Sequence, residues 1–207
     1  MAGGTKRLPR AVREQQMLDA AVKVFAANGF PETSMDAIAA EAKISKPMLY
    51  LYYGSKEELF SACIARESAK FIDAMSIGFN PALHQREQAR LVVREFLRFV
   101  HENAESWRVL YRVAVGTASF SDLVRQSRRR VIEMVAGLIE QGTTVEGATG
   151  VDFEITAVAL VGAAEAVGDR ISEGDVSLET ATELLVGIVW RGLRGVGVHD
   201  DTAAAEA

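Results

Sequence analysis

The chain has 207 residues, of which 49% are apolar, and a formal net charge of −5, which allows a substantial core and excludes global disorder. The longest nearly apolar run, residues 155–168, is shorter than the ~20 residues that span a bilayer, so no membrane span is expected. A single cysteine, Cys63, and a basic start without an apolar stretch favour a reducing, cytoplasmic setting.

The first predicted helix carries one apolar face. Its apolar side chains recur at i, i+3, i+4 and i+7, at Leu18, Ala21, Val22 and Phe25. The helix is predicted to begin near Pro9. Asn28-Gly29 supplies a left-handed stop, and Pro31 is predicted to prevent the helix from resuming.

Two short helices follow, each opened by a hydroxyl side chain. Ser34, or Thr33 beside it, is predicted to cap a helix that reaches about Ala42. Ser45 is the predicted N-cap of a third helix, because Pro47 is tolerated in the first turn, where no amide partner is lost.

The rest of the chain is also predicted to be helical. Gly54 ends the third helix, and Ser55 with Glu58 forms a capping box that opens a fourth helix ending at residues 78–81. Further helices are predicted at 82–103, 105–116, 119–141, 152–173 and 177–196. The fold class is therefore all-α with about nine helices. Residues 198–207 are predicted to be a disordered tail.

Residues 10–56 are predicted to form a three-helix domain with a helix-turn-helix motif at about 34–53. Its small core is predicted to contain Phe25, Ile38, Ala39, Ile44 and Leu49, with Tyr53 at the far end. The outward side of residues 46–52 is then free to enter a DNA major groove, which is the usual role of the second helix.

The charge distribution is compatible with such a role. Residues 1–56 carry a balance of +3 and residues 57–207 a balance of −8. Residues 1–9 are predicted to be a basic flexible arm, which contributes Lys6 and Arg7, and Arg10 and Arg13 follow before the first acidic residue. A basic end on an acidic protein favours a polyanionic partner, although an ordinary solvated tail would have the same composition.

The segment TSMDAIAAEAKISKPMLYLYYGSKEELF closely resembles the N-terminal domain of the TetR-like (TetR/AcrR) one-component transcriptional regulators. The matching elements are Thr33-Ser34, Ile38-Ala39, Ala42, Ile44-Ser45, Leu49-Tyr50, Tyr53 and Ser55-Lys56-Glu57. The strong match covers about residues 10–60, whereas the remainder agrees only in length and in the layout of its helices.

The resemblance implies a double-stranded DNA operator as a partner. The expected DNA-binding residues are Thr33, Ser34, Lys43, Ser45, Lys46, Pro47, Met48, Tyr50, Leu51, Tyr52 and Lys56. Hydroxyl and ammonium groups suit phosphates, and Tyr50 is the strongest candidate among them. Pro47, Met48 and Leu51 offer apolar contact, for example to a thymine methyl group. Base readout is therefore expected to use few direct hydrogen bonds, supplemented by Lys46, water and the arm in a minor groove.

Two positions depart from the family pattern. Lys43 stands where the family often has Gly, because the turn favours a left-handed backbone there, and a non-Gly residue costs ~1 kcal/mol. Lys43 could compensate by reaching a phosphate, or it could simply be a solvated turn lysine. The family also often has His where Leu51 or Tyr52 stands, so the usual hydrogen bonds of that His cannot be carried over.

Residues 57–197 are predicted to form an effector-binding and dimerisation domain. The helices at 152–173 and 177–196 have more apolar surface than one partner helix can cover, which favours a homodimer; central core helices of a monomer are the alternative. The resemblance implies a small-molecule effector pocket in the middle helices. Phe96, Trp107 and Tyr111 are candidates for its lining, although any one of them could be ordinary core.

The sequence thus predicts a DNA-binding transcriptional regulator, with repression as the commoner mode of its family. It is expected to bind a palindromic operator as a homodimer and to be released by a small, apolar effector. An enzyme is a poor alternative, since no catalytic residue, metal-ligand spacing or cofactor motif is present. A helical scaffold would explain a dimer surface, but it would not explain the basic arm and the outward tyrosines.

Overall fold

The computed structural model describes residues 9–78, 80, 82–116, 120–141 and 150–195, and it describes the backbone alone at 150, 151, 189 and 192–195. Residues 1–8 of the predicted arm and the predicted tail at 198–207 lie outside the described residues. Within the described ranges no strand occurs, which confirms the all-α prediction.

The described residues contain nine α-helices and one π-helical turn. In chain order they are α1 (Arg10–Glu32), α2 (Met35–Glu41), α3 (Lys46–Tyr52), α4 (Lys56–Ile77), α5 (Gln85–Glu102), α6 (Ala104–Arg108), the π-helical turn Val109–Val113, α7 (Ser121–Gln141), α8 (Gly150–Ser172) and α9 (Leu178–Gly195). The predicted helix at 105–116 is therefore α6 continued by a π turn, in which the Ala114 amide donates to the Val109 carbonyl at 3.0 Å.

The first helix breaks where the sequence predicts. Gly29 has φ 77° and ψ 168°, a conformation that a side chain disfavours. Contrary to the prediction, the helix resumes through Pro31 to Glu32. Proline lacks the amide donor and disrupts a helix interior, but in a first turn no hydrogen bond is lost, so one further turn can form.

Two compact units contain the described residues. One comprises those within 1–68 and 105–124, and the other comprises those within 69–104 and 125–207. The first unit therefore includes the beginning of α4, α6 and the π turn in addition to the predicted 10–56 domain.

The first unit has an aromatic core and the predicted apolar contacts. Neighbouring rings lie with centroids 4.6 to 5.9 Å apart, and they belong to Phe25, Phe30, Phe60 and Phe120. The predicted core is confirmed at Phe25, Ile38, Ala39 and Leu49, all of which are buried. Ile44 and Tyr53 are only half-buried, and partial burial raises the pKa of the Tyr53 phenol.

A buried carboxylate joins α6 to the rest of the first unit. Glu67 on α4 is fully buried. It accepts a hydrogen bond from the Ser106 hydroxyl at 2.7 Å and pairs with Arg66 at 2.6 Å. Arg66 also pairs with Asp19 of α1 at 2.6 Å. A buried charge is costly unless it is paired, so this network holds α1, α4 and α6 in one arrangement.

In the second unit, α5 packs against α8 and α9. Phe71 lies 5.9 Å from Phe96 and 5.1 Å from Phe99, measured between ring centroids. Arg128 of α7 makes a forked ion pair with Glu165 of α8, with N–O distances of 2.8 and 3.0 Å. Two carboxylate oxygens held by one planar guanidinium fix both the distance and the orientation between these helices.

The turn between α2 and α3 places Lys43 in the left-handed region, with φ 55°. Its amide donates to the Ala40 carbonyl at 3.1 Å, and the Ile44 amide donates to the Ala39 carbonyl at 3.0 Å. This pattern is a Schellman motif, in which glycine is the favoured residue at the left-handed position. The expectation drawn from the sequence is confirmed, and Lys43 is the sole non-glycine residue with positive φ in the described part of the chain.

We expect Lys43→Gly to be more stable than Lys43→Ala by about 1 kcal/mol, because glycine adopts a positive φ without a clash at Cβ. Both variants lose the lysine side chain, so their difference isolates the backbone. The measurement is the denaturant midpoint of each variant at an equal slope. A lower midpoint for Lys43→Gly than for Lys43→Ala would show that the left-handed backbone imposes no strain.

Candidate nucleic-acid interface

Side-chain caps fix the starts of the two motif helices. The Ser34 hydroxyl oxygen accepts from the Ala37 amide at 3.1 Å, and the Ser45 hydroxyl oxygen accepts from the Met48 amide at 3.4 Å. Both serines are exposed. Each hydroxyl keeps its own proton free to donate, so both can cap a helix and still meet an anion from outside.

Helix α3 divides into a buried side and an exposed side. Leu49 is fully buried, whereas Tyr50 is 44% exposed and Leu51 is 81% exposed. Pro47 is exposed as well, and Met48 and Tyr52 are half-buried. Leu51 is the most exposed large apolar side chain in the described residues. Pro47, Tyr50 and Leu51 are spaced so that they share one exposed face of α3, and Leu51 adds a large apolar side chain to it.

Lys46, the first residue of α3, is paired with an acid. Its ammonium donates to Asp36 Oδ2 of α2 at 2.7 Å. This hydrogen bond and the attraction between the two charges raise the pKa of Lys46 above its ordinary value. The pair links the two helices on their exposed side, which the sequence does not reveal because ten positions separate the partners.

Two arginines of α1 flank the exposed side of α3. The Arg13 guanidinium lies 2.9 Å from the Met48 sulfur, and Arg10 lies 5.4 Å above the centre of the Tyr52 ring. Arg10 also pairs with Glu14 at 3.0 Å. Both arginines were predicted only as part of a basic end. Their placement beside α3 adds two cations to the candidate interface.

Thr33 faces inward. Its side chain is buried, and its hydroxyl donates to the Gly29 carbonyl at 2.6 Å. Of the predicted Thr33-Ser34 pair, therefore, only Ser34 is exposed. Thr33 instead stabilises the break in α1, since its hydroxyl donates to the carbonyl of Gly29, the residue at which the helix is interrupted.

Lys56 also has internal partners. Its ammonium donates to the carbonyl oxygens of Phe30 at 2.9 Å, Pro31 at 3.2 Å and Thr33 at 2.9 Å. It also lies 4.6 Å from the centre of the Phe30 ring. These carbonyls end the last turn of α1, where a cation is favourable. Lys43, by contrast, is an exposed side chain on the turn.

The capping box of α4 differs from the prediction by one residue. The Ser55 hydroxyl oxygen accepts from the Glu58 amide at 3.0 Å as predicted. The Glu58 carboxylate accepts from the Gly54 amide at 3.0 Å, one residue before the cap. The two bonds still fix the direction in which the chain leaves α3.

The three predicted effector-binding residues fall in different units. Trp107 and Tyr111 belong to the first unit and stack with ring centroids 3.8 Å apart and an interplanar angle of 21°. Trp107 is fully buried. Phe96 belongs to the second unit, in contact with Phe71. The spacing of Trp107 and Tyr111 predicts their contact, but it does not predict this division.

Neither a metal site nor a membrane-spanning helix is found among the described residues. Across the described ranges, His, Cys, Asp and Glu form no group able to hold a metal ion. None of the described helices combines the length and the apolar character needed to cross a bilayer.

Three features of this surface occur together: two short capped helices, an exposed face of mixed polarity on the second helix, and two arginines beside it. The fold and site are those of a helix-turn-helix DNA-binding protein.

Comparison with known families gives the particular family. The model described as "Bacterial regulatory proteins, tetR family" matches residues 17–63, and the model described as "Tetracyclin repressor-like, C-terminal domain" matches residues 85–192. The chain belongs to the TetR family of bacterial transcriptional regulators. It is therefore a DNA-binding regulator and not an enzyme.

Similar proteins include regulators of known structure. A TetR-like transcriptional regulator from Rhodococcus sp. RHA1 is 55% identical with a TM-score of 0.81, and the match covers 91% of this chain and 100% of that one. The transcriptional activator FasR of Mycolicibacterium smegmatis is 33% identical over 113 residues, 53% of this chain and 52% of FasR, so the chain spans about half of its length. FadR of Bacillus subtilis, solved in complex with stearoyl-CoA, shares the fold at 17% identity and a TM-score of 0.73, with 84% of this chain and 96% of FadR covered.

Proposed function

We propose that this regulator is a cytoplasmic repressor, which binds a palindromic operator as a homodimer and is released by a small, apolar effector. The observation that carries the DNA part is the exposed side of α3, where Leu51 is 81% exposed beside Tyr50 and Lys46. No partner within the described part of its own unit covers this face, and its chemistry suits a DNA groove.

The residues of this face divide into two roles. The hydroxyls of Ser34, Ser45 and Tyr50 and the cation of Arg13 position the protein on phosphates. Leu51, with Pro47 and Met48 beside it, makes apolar contact with thymine methyl groups. Residues 10–56 then form the reading domain, and residues 57–197 the effector-binding and dimerisation domain.

The exposed apolar side chains of α8 and α9 support the homodimer. Ile155 and Val158 of α8 and Leu184 and Ile188 of α9 are all exposed, although each is large and apolar. They recur at i, i+3 and i, i+4 spacing, so each pair lies on one helix face. A two-fold dimer through these faces would place two α3 helices about 34–36 Å apart, one turn of DNA.

The effector is proposed to occupy the helical part that follows the reading domain. Buried aromatic side chains, including Phe71, Phe96 and Phe99, give this part an apolar interior suited to an apolar ligand. A ligand that binds more tightly to the conformation unsuited to DNA would release the operator by a population shift. FasR is an activator by name, so the proposed repression needs its own test. A reporter gene placed behind the operator should be expressed more strongly when the regulator is deleted.

Tyr50→Phe and Leu51→Ala test the two proposed roles separately. Tyr50→Phe removes one hydrogen bond to a phosphate, so we expect affinity to fall about 10-fold for operator and unrelated DNA alike. Leu51→Ala removes a base contact, so it is expected to weaken binding to the operator more than to unrelated DNA. Mobility shifts at one fixed salt concentration measure both effects.

Melting curves provide the control, because both side chains are exposed and neither substitution is expected to lower the melting temperature. Wild-type affinity for both DNA molecules in both variants would exclude α3 as the reading helix.

A further inference from the structure

The candidate interface contains a carboxylate, which is unexpected on a surface that approaches a polyanion. Asp36 is 68% exposed at its side chain and holds the Lys46 ammonium at 2.7 Å, and the Lys46 side chain is itself 46% exposed. The two side chains bridge the first turns of α2 and α3, close in sequence to the two caps Ser34 and Ser45. Wherever the Lys46 ammonium meets DNA, the Asp36 carboxylate is beside it.

This pair is a poor stabiliser of the fold. Ion pairs between exposed side chains contribute little, because water screens the charges and both side chains lose freedom. The pair also weakens general attraction to DNA. Affinity for DNA of any sequence comes from cations that replace counterions at phosphates, and a lysine already neutralised by a carboxylate replaces none.

The same pair is well matched to one kind of base edge. In the major groove guanine presents two acceptors, N7 and O6, and cytosine presents a donor, its N4 amino group. Lys46 can donate to guanine, while the adjacent Asp36 accepts from cytosine. A phosphate offers acceptors alone, so it supplies no donor to the carboxylate and its charge repels that of Asp36.

We propose that Asp36 is a specificity-determining residue of the DNA interface: paired with Lys46, it favours a G·C base pair in each half-site and disfavours DNA that lacks one there. The inference rests on the proposed placement of α3 in the major groove. The ion pair then helps the protein to discriminate between sequences and lowers its affinity for DNA in general.

Asp36→Ala is the direct test, because it removes the acceptor and frees Lys46. Affinity for a duplex of random sequence is expected to rise about 10-fold, and the slope of log affinity against log salt is expected to steepen by about 1. The ratio of operator to random-sequence affinity is expected to fall at least ~10-fold. Selection from a randomised duplex library should yield a G·C pair at one position per half-site with the wild type and not with Asp36→Ala.

Glu41→Ala is the matched control. It breaks the Lys23–Glu41 pair, which has the same chemistry at 2.6 Å and lies at the other end of α2. Random-sequence affinity, salt slope and selected sequence are expected to stay at wild-type values. The double variant Asp36→Ala/Lys46→Met is expected to return the random-sequence affinity and the salt slope to wild-type values without restoring the selected G·C pair.

Two results would overturn the inference while leaving the regulator's function intact. In the first, Asp36→Ala binds operator and random DNA more tightly by the same factor and selects the same sequence as the wild type. Asp36 would then only repel DNA of any sequence through its charge. The other is no change in any of these quantities. A wild-type protein that selects no sequence at all would overturn the proposed operator binding, and this inference with it.

Discussion

Lys56→Met is expected to destabilise the first unit by about 2 kcal/mol. The substitution keeps an apolar stem of similar length, but it removes the hydrogen bonds from the ammonium to the carbonyls of Phe30, Pro31 and Thr33. Hydrogen bonds to a charged donor contribute ~1.5–3 kcal/mol each when isolated, and less when several share one half-exposed group. For a chain of this size, the melting temperature should fall by about 4–8 °C.

Lys23→Met is the control for the loss of a surface lysine. Lys23 makes one exposed ion pair, with Glu41, so its replacement is expected to leave the melting temperature unchanged. If Lys56→Met melted at the wild-type temperature yet lost DNA affinity, Lys56 would be a phosphate contact and its bonds to α1 would contribute nothing to stability. A loss of both would show that the same ammonium serves the fold and the interface.

Leu184→Glu/Ile188→Glu is expected to convert the proposed homodimer to a monomer and to abolish tight operator binding. Leu184 and Ile188 are 60% and 58% exposed on one face of α9. Four carboxylates would meet across a two-fold interface, two from each copy, and their burial without partners would be strongly unfavourable. Because two linked half-site contacts gain roughly 10²–10⁴ in affinity over one, the monomer should bind the operator at least 100-fold more weakly.

Sedimentation at micromolar protein concentration measures the change in assembly, and Ile77→Glu is the control. Ile77 is 64% exposed on α4, so this variant introduces the same charge without touching α8 or α9. It is expected to remain a dimer and to bind the operator normally. A dimer that persists in Leu184→Glu/Ile188→Glu would place the interface elsewhere.

The features that local rules control could be predicted from the sequence. Ser34 and Ser45 are caps because a hydroxyl before a short apolar segment satisfies the exposed amides of the first turn, and both caps form as expected. Gly29 interrupts α1, and Lys43 follows the last turn of α2; both have a positive φ, which is the conformation that ends a helical run. The burial of Leu49 between the half-buried Met48 and the exposed Tyr50 follows from helical periodicity.

The features that depend on distant partners could not be predicted. Lys56 and its carbonyl partners are 23 to 26 positions apart, and Arg13 and Met48 are 35 apart. No periodicity joins such residues, so the sequence predicts Lys56 as a phosphate contact without its bonds to α1, and it does not predict that Arg13 lies beside Met48. Thr33 is only four positions from Gly29, but its hydrogen bond to the Gly29 carbonyl depends on the break in α1, so the sequence predicts it as a surface hydroxyl.

The π-helical turn escaped prediction for a different reason. A π turn has a wider spacing than an α-helix, but the five residues Val109–Val113 are too short a window for the sequence pattern to distinguish the two spacings. The composition of this segment suits either form. The choice is made by packing, since the turn lies against α1 within the first unit.

If the exposed side of α3 binds a two-fold operator, a footprint on the DNA that flanks the protein's own gene should reveal that operator. The wild-type protein is expected to protect one segment with two inverted half-sites whose centres lie about 34–36 Å apart. Protection should weaken steeply as salt rises, because phosphate contacts release counterions. Uniform, sequence-independent protection by the folded protein, or a footprint that Tyr50→Phe and Leu51→Ala leave unchanged, would show that α3 does not read the operator.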